Sequence, residues 1–332
     1  MSETTDIKIT MLGGSGSGKT CFMLAMYDVM SFGVGGFTFS TVDWDDGLDL
    51  EEQWNKLCDG TGPDRWPRGT DGSRPYSFRY SYGAKTYLTF EWLDYRGGAI
   101  RGRSDDPDLP KLKSQMQEST GIFIVVPADK LILEDAQSQR TLNINSINRL
   151  LSDVRDEATR QGRLLPIISL VVTKIDVWHN KYGKGRREEL VSKLKILFNP
   201  LFAPGAEWTV SIVPVTLGQD LCNDSNQAAI APMMIHYPVT FTIHEFHQRC
   251  SDAVAQEMAD KTAQKNRDIQ RPKTFWEEMF GANVVHDDDH EQRIAQLEIW
   301  AKECGEACKN IGKMLTTEMP IFKNGEEINV NS

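Results

Sequence analysis

The chain has 332 residues, of which 40% are hydrophobic and 25% charged, enough to bury one large core or two modest ones. Its formal net charge of −10 argues against a nucleic-acid backbone or an anionic membrane as the main partner. The opening MSETTDIK is polar and acidic, unlike a secretory signal or transit peptide, and no apolar run approaches the ~20 residues of a membrane span, so the expectation is a cytoplasmic protein without one. The cysteines at 21, 58, 222, 250, 304 and 308 follow no framework spacing and are expected to stay reduced.

In chain order, Ile7, Ile9, Met11 and Leu12 form a short apolar run. Gly13 to Thr20 then fit G-x-x-x-x-G-K-[ST], and Cys21 to Met30 carry helical spacing through Phe22, Leu24, Ala25 and Val29. Strand, glycine-rich loop and helix in that order are the context of a phosphate-binding P-loop. Glycine at 13, 14, 16 and 18 lets successive N–H groups turn onto phosphate oxygens at a helix N-terminus, which makes Gly14, Ser15, Gly16, Ser17, Gly18, Lys19, Thr20 and Cys21 the candidate cradle. Lys19 reaches the β- and γ-phosphates in such a loop, and the Thr20 hydroxyl is a ligand of Mg²⁺. The loop alone does not separate ATP from GTP.

Further along, FTFSTVDW reads as a strand and LDLEEQWNKLCDG as an inserted helix, while Tyr76–Tyr82 and Lys85–Leu93 alternate around Gly83 as a hairpin. GIFIVVPAD (121–129), LPIISLVVTKID (165–176) and WTVSIVPVT (208–216) are continuous apolar runs, as expected of strands buried on both faces of a parallel sheet. Gln139–Gln161 and Arg186–Phe198 carry helical periodicity. The order β-α-ββ-α-β-α-β-α-β predicts an α/β fold, a doubly wound and mostly parallel sheet with one antiparallel edge strand, whose ligands sit at the carboxyl ends of the strands. Two further motifs fall at such ends: D-x-x-G in LDYRGG, with Asp94 and Gly97, and [NT]-K-x-D in VVTKID, with Thr173, Lys174 and Asp176.

Together these motifs resemble those of the P-loop GTPases of the translation-factor and Ras-like class. The resemblance implies guanine: Asp176 accepts from N1 and N2, a pattern adenine does not offer, while Lys174 covers the ring beside Thr173. It implies that Asp94 holds Mg²⁺ through water and that Gly97 offers its N–H to the γ-phosphate. Thr216 and Leu217, in VPVTLG, occupy the region that meets guanine O6. The class also has a switch threonine that binds Mg²⁺ and γ-phosphate, for which Thr38, Thr41, Thr61 and Thr70 are candidates. Thr38 and Thr41 fall in a predicted strand, whereas Thr70, in RWPRGTDGS, lies just before the hairpin and is the choice; a turn threonine capping local backbone is the alternative. Arg68, on a turn stiffened by Pro67, or Arg96 inside DYRG, is the candidate arginine for the transferred phosphoryl group; solvated surface charges are the alternative for both. One departure from the pattern is Gly98, which stands where Ras-like proteins carry a water-orienting Gln.

Within that class, the elongated first switch region, the WPRGT turn, DYRGG and the C-terminal helices look most like the bacterial double-GTPase group, small G domains linked to multi-gene defence systems, over about residues 5–265. The resemblance implies GTP/GDP and Mg²⁺ as cofactors and co-encoded protein partners. The GTP state would order Thr70 and Asp94–Arg103 in a hydrolysing switch; the alternative is an assembly module that holds GTP with negligible turnover.

Beyond Thr216, LGQDLCNDSNQAAIAPMMIHYPV is a polar insertion near the base pocket, and Phe241–Met258 carry the spacing of a last helix. The expected division is a G domain over 1–265 and a helical extension over 266–332. In the latter, Ile294, Leu297, Ala301, Cys304, Cys308, Ile311 and Leu315 make a coiled-coil-like seam that admits a homo-oligomer. His286, His290, Cys304 and Cys308 mimic a zinc set, but both cysteines fall on the seam and read as small core residues. Phe275, Trp276, Met279 and Phe280 either pack on the G domain or anchor a partner.

Overall fold

The computed structural model describes residues 6–68, 74–94, 108–264, 309, 312 and 319–328. The described elements are β1 (Asp6–Leu12), α1 (Lys19–Phe32), β2 (Phe37–Thr41), α2 (Trp44–Asp59), β3 (Arg74–Tyr82), β4 (Lys85–Asp94), α3 (Asp108–Glu118), β5 (Gly121–Pro127), α4 (Ala128–Leu131), α5 (Asp135–Leu142) and α6 (Ile144–Gln161). They continue as β6 (Ile167–Thr173), α7 (Ile175–Tyr182), α8 (Arg187–Leu197), α9 (Asn199–Phe202), β7 (Thr209–Pro214), α10 (Tyr237–Gln264), β8 (Ile321–Lys323) and β9 (Glu326–Ile328). Among these residues no helix is long and apolar enough to cross a membrane.

The strands form one sheet in the order β2-β3-β4-β1-β5-β6-β7-β8-β9. Its middle, β4-β1-β5-β6-β7, is parallel. Every residue of β5 and β6 is buried, which is why those segments read as unbroken apolar runs. Alternate side chains serve opposite faces. Phe123 and Val125 join α1, α2 and α10 through Phe22, Leu50 and Ile243, while Ile122 and Ile124 join α3, α6 and α8 through Met116, Leu151 and Leu194. On the first face Trp92 meets Phe123 edge to face at 5.4 Å.

Three details differ from expectation. Both edges of the sheet are antiparallel, not one: β3 and β2 extend it on one side, β8 and β9 on the other. The second edge comes from IFKNGEEI, in the stretch expected to be a helical extension, where residues 309 and 312 are helical but 321–328 form a hairpin. Asn324 (φ 52°) and Gly325 (φ 84°) supply the left-handed pair that a two-residue hairpin turn demands. The single helix expected over Gln139–Gln161 is two, because Asn143 adopts φ 56° and its N–H closes α5 onto the Gln139 and Arg140 carbonyls before α6 begins. Asn tolerates that left-handed conformation better than most residues.

Candidate functional site

The parallel register brings several strand ends together. Met11 of β1 lies beside Asp94 of β4, Leu12 beside Ile124 of β5, Pro127 beside Thr173 of β6, and Val172 beside Pro214 of β7. Over these ends opens a cavity of about 630 Å³.

One end of it is the loop between β1 and α1. Gly16 (φ 73°) and Gly18 (φ 90°) take left-handed conformations, and a Cβ on Gly13 would stand 2.7 Å from Ser17 Oγ and 2.9 Å from the Val125 carbonyl oxygen. The loop therefore wraps tightly against β5. Lys19, 6% exposed, folds back over it, its ammonium donating to the carbonyls of Gly13 (2.9 Å) and Gly14 (3.3 Å). Among the described residues the buried Ser17 hydroxyl has no hydrogen-bond partner. A glycine cradle at a helix N-terminus, with an orphaned buried hydroxyl and a lysine on loop carbonyls, fits an anionic ligand and the phosphates of a Mg²⁺-nucleotide.

The other end is built by the loops after β6 and β7. Lys174 sits at φ 55° and turns the chain into α7, which places Asp176 in the first turn of that helix, 6% exposed. The Thr216 hydroxyl donates to Asp176 Oδ1 at 3.0 Å and in turn accepts from the Gly218 N–H at 3.1 Å. Burial pushes the Asp176 carboxyl above the usual carboxylate range, against the Thr216 hydroxyl, its own N–H and the Cys222 N–H, which favour the charged form. A buried carboxylate in that position gains from further donors. The Lys174 ammonium lies 3.6 Å from Asp129 Oδ2. The two ends are joined by the Thr173 hydroxyl, which donates to the Ser17 carbonyl at 2.6 Å.

Of the residues named from sequence, Ser15, Gly16, Ser17, Gly18, Lys19, Thr20, Cys21, Arg68, Thr173, Lys174, Asp176, Thr216 and Leu217 all line this one cavity. Gly14 contributes a carbonyl to Lys19. Asp94 ends β4 beside Met11, at the same edge. Thr70, Arg96, Gly97 and Gly98 lie outside the described residues, as do His286, His290, Cys304 and the Phe275–Phe280 cluster. Trp66, Asp129, Leu221, Cys222, Ser225 and Ile235, not expected from the motifs, line the same cavity. Asp129 had a visible signal, an acid just past the carboxyl end of β5. The others had none of comparable strength, since long-range packing brings them in.

Against known proteins, the family model described as Double-GTPase 2 matches residues 7–224. No curated protein matches. Among solved structures the chain is similar to a crystal structure of sup35 complexed with GDP, at 14% identity and a TM-score of 0.31, over 65% of this chain. It spans 38% of that chain's length.

Proposed function

This chain belongs to the Double-GTPase 2 family, and from that premise we propose that it binds GTP and GDP with Mg²⁺ and hydrolyses GTP as a switch read by protein partners, in a bacterial defence system. The observation that carries the reading is the buried Asp176 carboxylate, held by Thr216 at one end of a cavity whose other end is the phosphate loop. Guanine N1–H and N2–H₂ would give Asp176 the paired donors that a buried carboxylate requires, and Lys174 would lie along the ring. The loop N–H groups from Gly14 to Cys21 would hold the phosphates, with Lys19 exchanging the Gly13 and Gly14 carbonyls for the β- and γ-oxygens.

Thr20, Asp94 and Thr70 would hold Mg²⁺. When bound, the ion neutralises charge on the β- and γ-oxygens. Gly97 would offer its N–H to the γ-phosphate, and the exposed Arg68, in the cavity wall, would carry its guanidinium to the charge that grows there. Arg96 is the competing donor. The second reading, an assembly module that binds GTP with negligible turnover, is favoured by Gly98, which has no side chain to orient a water.

Calorimetry with GTP, GDP and ATP tests the base assignment: guanine nucleotides should bind far more tightly than ATP, and equal affinity for ATP and GTP would end it. Single-turnover hydrolysis, with and without co-encoded proteins, separates the switch from the assembly module.

A further inference from the structure

We infer that Arg65 is a positioning residue that clamps the loop over the base, residues 218–232, to the segment leading into Arg68, so that the two walls of the cavity close as one body. The inference rests on the reading of this cavity as a purine-nucleotide site. Arg65 ends a short 3-10 turn, Pro63–Arg65, just after α2, and is 3% exposed. Its Nε donates to the Leu57 carbonyl at 3.0 Å and its Nη1 to the Ala228 carbonyl at 3.0 Å. Three residues earlier, the Gly62 N–H donates to the Asn226 carbonyl, also at 3.0 Å.

Both accepting carbonyls of the far loop sit in a turn held by Asp224, whose Oδ1 accepts from the N–H groups of Asn226 (3.0 Å) and Gln227 (3.2 Å). That same loop delivers Leu221 and Ser225 to the cavity wall, and the Cys222 N–H to the Asp176 carboxylate. On the near side, Trp66, Pro67 and Arg68 follow Arg65 directly into the wall. A buried guanidinium answered by two carbonyls and by the face of the Trp66 ring, 5.4 Å away, with no carboxylate paired to it among the described residues, is costly to bury, and its two backbone bonds are not explained by packing alone. Its fork reaches two backbone segments at once, which a lysine ammonium on a single stem does not reproduce.

The test is release of a fluorescent GDP analogue from the parent, Arg65→Lys, Asp224→Ala and the double variant. Each single change should speed release by roughly tenfold or more, as expected when a charge-assisted or capping bond of a closed wall is lost. The double variant should be no faster than the faster single, because both act on one clamp. Hydrogen exchange gives a readout that a merely structural role would not move. In the parent GDP should protect 218–232 and 57–68 together; in the variants protection of 57–68 should be lost while that of the phosphate loop persists. Should Arg65→Lys not fold, Asp224→Ala, in an exposed turn, carries the test. Release within about twofold of the parent in folded variants, or additive effects, would overturn the clamp. An analogue of ADP held by the parent as long as that of GDP would sink the guanine assignment and leave the variant-to-parent ratio to judge the clamp. A parent that binds neither sinks both.

Discussion

The two ends of the cavity are built differently. At the base end, side chains are already bonded to protein: Thr216 to Asp176, Lys174 beside Asp129, Thr173 to the phosphate loop. At the phosphate end the groups are backbone N–H donors placed by glycine dihedrals, with the Ser17 hydroxyl orphaned and Lys19 on loop carbonyls that a ligand would replace. A prepared carboxylate costs little to use and discriminates well, since a base lacking the matching donors leaves part of its acceptor capacity unmet. A charged cradle that must exchange partners supplies affinity, because phosphates bring the larger charge. On the proposed reading, specificity would belong to the loops after β6 and β7, and binding strength to the loop after β1.

The largest break in that contrast is expected from Lys19→Ala. Removing the ammonium should cost about 3–5 kcal/mol of GTP affinity, with preference for guanine over adenine unchanged in whatever binding calorimetry still detects. A variant that keeps parental affinity would place the affinity elsewhere.

Next in size is Arg68→Ala, expected to slow single-turnover hydrolysis on the order of 10³-fold while GTP affinity stays nearly constant, since the contact strengthens only in the transition state. If Arg96→Ala slows the reaction instead, the role passes to Arg96; if neither changes a measurable rate, no cis arginine acts.

Asp176→Asn should lose about 2–3 kcal/mol of GTP affinity and bind xanthosine triphosphate better than the parent does, leaving phosphate binding intact. It also has a sign in stability. The carboxyl's folded pKa lies above its ordinary value of 3.8, so the native state binds more protons in the window between the two, and stability falls as pH rises through it. The asparagine lacks that penalty. Nucleotide-free Asp176→Asn should therefore unfold no earlier than the parent at neutral pH, with its advantage shrinking as pH drops towards 4, a comparison made by thermal melts.

The smallest effect is expected from Thr216→Ala, which removes one hydroxyl from a carboxylate with other donors. About 1 kcal/mol, or several-fold in GTP affinity, should be lost, and more for GTP than for inosine triphosphate, which lacks the 2-amino group. Equal losses for both would mean that Thr216 does not orient the carboxylate.

Much of this site was legible in the sequence because its parts are local. The phosphate loop is a glycine spacing between a strand and a helix, and Lys174 and Asp176 lie at the end of an apolar run of the kind expected of a buried strand. The inserted α2 was legible for the same reason. What escaped was of two kinds. Asn143 divides α5 from α6 through a single left-handed residue inside good helical periodicity, and the Asn324–Gly325 hairpin joins strands too short to show alternation. Trp66, Leu221 and Cys222 line the cavity from two segments distant in the chain, which meet where Arg65 and Gly62 bond to Ala228 and Asn226.

By itself, the sequence determined the parallel core, the phosphate loop and the order in which the motifs meet the strand ends, since each depends on residues a few positions apart and on burial patterns of period two or 3.6. Only the tertiary structure decided that Thr216 would bond Asp176, that Thr173 would tie one end of the cavity to the other, and that the sheet would close antiparallel on both edges. Those outcomes depend on hydrogen bonds between segments distant in the chain, whose partners no local spacing encodes.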